Sequence, residues 1–135
     1  MLSVNRRPWL RVLIGPVLII ALILAIQGYL TFAVKETSLR MASLDIYPFV
    51  INLLASIALF WAAYESRAVS RRLGLAWLFM AISQLIYTLG DLSWLYFEVI
   101  LKESPYPSIA DIFYVTYYPL FFAGTVLLSL ENHVS

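Results

Sequence analysis

Between Arg11 and Lys35 the chain runs for 23 residues, Val12 to Val34, without a charged side chain. That stretch restricts the fold more than any other feature. A helix crosses the hydrocarbon core of a bilayer in about 20 residues. Inside that core every backbone N–H and C=O has to find its partner within the protein, which leaves helices and closed barrels. Val17 to Ile26 has none of the apolar–polar alternation of a membrane strand. Three further apolar blocks follow, from about Ile46 to Tyr64, from Leu73 to Leu101, and from Ile109 to Leu130. The reading is an all-α, polytopic membrane protein. It is a four-transmembrane-helix bundle with helices at about 12–34, 46–64, 73–101 and 109–130, forming one transmembrane domain over residues 1–135. Composition agrees: 13% of the residues are charged, against roughly a quarter in a soluble chain.

The third block is 29 residues long, more than an upright crossing needs. It has to tilt, project from the bilayer or break, and Gly90-Asp91 is the natural place for a break. Asp45 or Ser43 can cap the second helix, which places Pro48 in its first turn. Ser108-Ile-Ala-Asp111, directly after Pro105-Tyr-Pro107, reads as the cap of the fourth helix. Pro119 falls inside that helix and is expected to kink it.

The connections carry the charge and set the orientation. Arg6, Arg7 and Arg11 precede the first helix, and Arg67, Arg71 and Arg72 separate the second from the third. Lys35, Arg40 and Lys102 fall on the opposite side. Six Lys/Arg against three place the N-terminus and the C-terminal end in the cytoplasm, N-in/C-in. The first block is longer than a signal-peptide core and has no small-residue cleavage site, so it reads as an uncleaved anchor. The expected location is the cell membrane, crossed several times.

With depth assigned, the polar residues fall in the outer half. Gln84, Tyr87, Thr88 and Asp91 occur at i, i+3, i+4 and i+7, one face of a helix. Asp111, Tyr114 and Tyr118 share a face of the fourth helix, and Gln27 and Thr31 share a face of the first. A polar stripe facing lipid is costly, so the stripes should face one another around a polar, tyrosine-rich cavity. Its candidate ligand-binding residues are Gln84, Tyr87, Asp91, Asp111, Tyr114 and Tyr118. The competing reading is interhelical hydrogen bonding, above all for Gln27, Asn52, Ser56 and Gln84. For Asp111 the competing reading is a helix cap. Lys102 and Arg40 are the expected ion-pair partners of Asp91, Glu98 or Asp111. The aromatic residues near the helix ends, Trp94 among them, read as an interfacial belt.

Other chemistries find no support. The chain has no cysteine and one histidine, His133. Haem held by two histidines would need a second copy of the chain. No phosphate loop, His-Glu-x-x-His motif or serine–histidine pair is present. Asp91 and Asp111 could exchange protons, but nothing beside them supplies a nucleophile or metal site. The reading is therefore not an enzyme, with no cofactor and no metal. The net charge of +1 gives no field for nucleic acid. A four-helix multidrug exporter would carry an acid in its first helix, and Val12 to Val34 has none.

Gly90-Asp-Leu-Ser-Trp-Leu-Tyr-Phe97, followed by Ser104-Pro-Tyr-Pro-Ser-Ile-Ala-Asp-Ile-Phe-Tyr-Val-Thr-Tyr-Tyr-Pro-Leu120, resembles the N-terminal multi-helix membrane region of bacterial and archaeal signalling proteins. In those proteins cytoplasmic PAS and histidine-kinase, or diguanylate cyclase, domains commonly follow. The resemblance covers about a quarter of the chain. It implies a membrane-embedded sensory or input module of a signal-transduction protein, without catalysis of its own. It also implies a downstream cytoplasmic effector domain. The family usually has more helices, so the chain reads either as a fragment of a larger receptor or as a stand-alone relative. The partners expected are the lipid bilayer, that effector domain and, for a dimeric receptor, a second copy of the chain. Two alternatives stay open: a small oligomeric carrier or channel subunit, and a structural or assembly membrane protein.

Overall fold

In the computed structural model, which describes residues 8–134, the chain is 88% helical. Arg6 and Arg7 lie outside the described residues, as do the side chains of Trp9 and His133. The helices are α1 (Pro8–Phe32), α2 (Thr37–Ser66), α3 (Arg71–Leu95) and α4 (Ile109–Val134), and among the described residues there is no strand. All four are long and apolar enough to cross a membrane. The chain divides into two compact units, Met1–Arg40 and Met41–Ser135.

The first unit is built on α1, which is apolar on every side and so suits a helix surrounded by lipid. Thr31 Oγ1 donates to the Gln27 carbonyl at 2.8 Å. The Thr31 hydroxyl is thus satisfied within its own helix.

The second unit is organised around α3. Its buried residues are small: Gly74, Ala76, Ala81, Ser83, Thr88 and Gly90, with Met80 the exception. Lipid tails are as apolar as leucine, so helices in a bilayer associate through close packing, and small residues permit it. Gly124 of α4 sits where an added Cβ would lie 2.9 Å from the Ala76 carbonyl oxygen and 2.7 Å from Met80 Cγ. At the other end, a Cβ on Gly90 would lie 2.7 Å from the Tyr114 ring. These two contacts fix α3 and α4 as an antiparallel pair in backbone-close contact. The hydroxyls of Ser83, Thr88, Ser93, Thr116 and Thr125 all donate to carbonyls three or four residues back in their own helices. They do not bridge helices.

Several boundaries differ from the sequence expectation. Helix α2 starts at Thr37, so Ser43 and Asp45 do not cap it and Pro48 is not in its first turn. The stretch before Ile46 is polar enough to look like a connection, yet it holds no glycine or proline to stop a helix. Gly90-Asp91 is not a break. The helix runs through it, and Gly90 serves close packing. The irregularity comes later, where Tyr96–Leu101 widens into a π-helical turn ended by Lys102 in the left-handed conformation (φ 54°). The third block is thus one long helical element whose last six residues are rewound. After it, Tyr106-Pro107 is a cis peptide.

The start of α4 is as the sequence suggests. The backbone N–H of Ser108 donates to Asp111 Oδ2 at 2.8 Å, and Ser108 Oγ accepts from the Ala110 N–H at 3.2 Å. Ser108→Ala should cost about 1 kcal/mol of stability, the usual loss for a helix cap. Unfolding titrations in mixed micelles measure it, and an unchanged midpoint would show that Asp111 alone secures the helix start.

Candidate functional site: a carboxyl shared by three helices

Asp91 lies on α3 one position after the glycine that admits Tyr114. Its two oxygens are taken by different helices. Asn52 Nδ2 of α2 donates to Oδ2 at 2.6 Å, and Tyr114 Oη of α4 donates to Oδ1 at 2.9 Å. Asn52 is held in turn, because Gln84 Nε2, two turns back along α3, donates to its Oδ1 at 2.8 Å. The Gln84–Asn52–Asp91–Tyr114 relay therefore ties α2, α3 and α4 together with neutral donors. Lys102 does not form the ion pair that the sequence suggested, and among the described residues of the second unit no lysine or arginine pairs with Asp91. Asn52 and Tyr114 occupy both carboxyl oxygens, which removes the need for a cation.

A cleft of about 330 Å³ opens beside the carboxyl, lined by Asp45, Pro48, Tyr87, Asp91, Trp94 and Tyr114. One more acid, Asp45, lines it, with Glu98 behind. Asp45 of α2 lies against Glu98 of the π-helical turn and within electrostatic reach of Asp91. Asp45 Oδ2 is buried without a hydrogen-bond donor. Trp94 Nε1 donates to Glu98 Oε2 at 2.6 Å, so this tryptophan has a specific partner beyond an interfacial belt role. A second cleft, of about 320 Å³, is lined by Asn52, Gln84, Tyr87, Tyr117 and Tyr118. Tyr87 lines both clefts. It packs 4.8 Å from Tyr114 and 5.1 Å from Tyr117, centroid to centroid. Tyr117 also stacks on Phe121 at 5.3 Å.

Of the six residues singled out from the sequence, Gln84, Tyr87, Asp91 and Tyr114 come together. Tyr118 lines the second cleft at its rim and is 66% exposed. Asp111 lines neither cleft and holds the start of α4. Thr88, expected on the same polar stripe, is buried and bonded to the Gln84 carbonyl. Asp45 and Trp94 line the first cleft and are not among the six. Asp45 and Asn52 are seven apart and Ser56 follows four later, one face of a helix. That spacing carries the signal once α2 is extended back to Thr37. Among the described residues, no group of three His, Cys, Asp or Glu could hold a metal ion.

Compared with protein-family models, curated proteins and solved structures, the chain matches none.

Proposed function

We propose that the chain is the membrane-embedded input module of a signalling protein, N-in/C-in in the cell membrane, and that its stimulus acts at the Asp91 cleft. The observation that supports this most is the sharing of one carboxyl among three helices beside an open cleft. A ligand carrying N–H or O–H donors competes with Asn52 and Tyr114 for the same oxygens. Binding then changes which helices are tied together, and a ligand that prefers one arrangement shifts the population toward it. The carboxyls of Asp45 and Asp91, with Tyr87, Trp94 and Tyr114 lining the same cleft, suit a small cationic ligand, because aromatic faces and carboxyls both attract positive charge. The cytoplasmic ends of the helices carry the change to an effector domain.

The mass of the native protein in its own membrane tests the reading. An antibody to the Arg67–Arg72 segment should detect a product well above 15.4 kDa. A product of that size itself would overturn a covalently attached effector. A carrier would then be separated from an assembly protein by flux into liposomes. In the longer protein, Asp91→Asn and Tyr114→Phe should each change the output at least several-fold while the helical content stays within about 10% of wild type. Equal loss of folded protein and output in both variants would assign the relay to structure alone.

A further inference from the structure

A second groove, of about 430 Å³, lies at the opposite end of α3 from Asp91. Its walls are Phe60 and Tyr64 from α2 and Leu75 and Leu78 from α3, and Arg67 and Arg71 stand at the connection between the helices. The spans end at Ser66 and begin again at Arg71, so the two arginines sit at the edge of the apolar segments.

Arg67 is held in place. Its Cγ and backbone cover Gly74 so closely that a Cβ there would lie 2.5 Å from Cγ. Its guanidinium lies 4.9 Å over the Tyr64 ring. Arg71 opens α3, whose N-terminus is capped by Ser70, with Oγ accepting from the Leu73 N–H at 3.3 Å. The start of a helix favours an anion through its backbone dipoles. Glu65 is the one acid against Arg67, Arg71 and Arg72 in the connecting segment, so the local charge is positive.

An apolar trough that ends in fixed positive charge at the membrane edge matches one kind of molecule in both parts. We propose that this groove binds an anionic phospholipid, its phosphate between Arg67 and Arg71 and an acyl chain along Phe60, Leu75 and Leu78. A soluble anion would leave the apolar wall unused. A zwitterionic lipid would bring its own cation to the arginines. The site is independent of the Asp91 cleft and of the function proposed for it.

The test uses the purified chain in detergent micelles, titrated with fluorescent phosphatidylglycerol and phosphatidylcholine of identical acyl chains. Wild type should prefer phosphatidylglycerol by about tenfold or more, since each arginine near a lipid surface contributes about a factor of five. Arg67→Gln/Arg71→Gln should reduce the preference to about twofold or less, with helicity checked by circular dichroism. Arg67→Lys/Arg71→Lys should keep most of it. Arg72→Gln removes a neighbouring charge that does not line the groove and should keep most of it too. Equal binding of the two lipids by wild type would overturn the proposal, whatever the variants do. So would a loss in Arg72→Gln as large as in the double variant, which would mean diffuse surface charge. Displacement by soluble glycerol phosphate at the same concentration as the lipid would overturn it as well, by showing an anion site without a lipid groove.

Discussion

Gly124→Leu should destabilise the bundle by about 3 kcal/mol or more, near the upper end of what forcing extra carbons into a packed interior costs. The reason lies in what Gly124 faces. A Cβ there would meet Met80 Cγ at 2.7 Å and the Ala76 carbonyl oxygen at 2.9 Å. The methionine side chain can turn aside. The carbonyl is part of the α3 backbone and cannot, so α4 has to move away. Moving it loosens the small-residue contact along α3, on which association in lipid depends. Gly124→Ala should already cost about 1–2 kcal/mol. Combining it with Met80→Ala should recover only part of that loss, because the carbonyl remains. The measurement is reversible unfolding in mixed micelles, read by helicity. A neutral Gly124→Ala would show that α3 and α4 do not approach as closely as described. Full rescue by Met80→Ala would place the whole clash on the methionine.

What the sequence makes legible follows from how local each determinant is. The apolar blocks announce the helices because each is as long and apolar as a bilayer crossing requires. The cap at Ser108 is legible because donor and acceptor lie three residues apart. The stripe Gln84, Tyr87 and Asp91 is legible because one helix face carries it alone. Other features are set by what another helix presents. Gly90 looks like a break in isolation, and only the Tyr114 ring shows it to be a contact. Asp45 looks like a cap until α2 is seen to start at Thr37, which turns it toward Glu98 and the cleft. The π-helical turn at Tyr96–Leu101 has no proline or glycine to announce it. Asp111 and Asp91 look alike as acids near membrane helices. One satisfies its own helix start, and the other is shared by three helices.

That sharing makes Asp91 the position where substitution should have the second large effect. Asp91→Ala leaves the Asn52 amide and the Tyr114 hydroxyl without their acceptor, and also removes the partner that orients Asn52 toward Gln84. An unsatisfied buried donor costs about 1–3 kcal/mol; these two are part-buried, which puts each near the low end and the pair at about 2 kcal/mol. Tyr114→Phe removes one donor and leaves Asp91 with Asn52, so it should cost about 1 kcal/mol. The double variant Asp91→Ala/Tyr114→Phe should be less destabilised than the two losses added together, because the hydroxyl stranded by the first change is gone in the second. Side-chain hydrogen bonds between membrane helices couple by about 0.6 kcal/mol on average and by about 1.7 at most. The same cycle with Asn52→Ala should show a second coupling of similar size, through the other carboxyl oxygen. Zero coupling in both cycles would mean that the carboxyl does not hold the helices together. Coupling to Tyr114 alone would mean that α4 is held to α3 through the carboxyl while α2 is free to part from it.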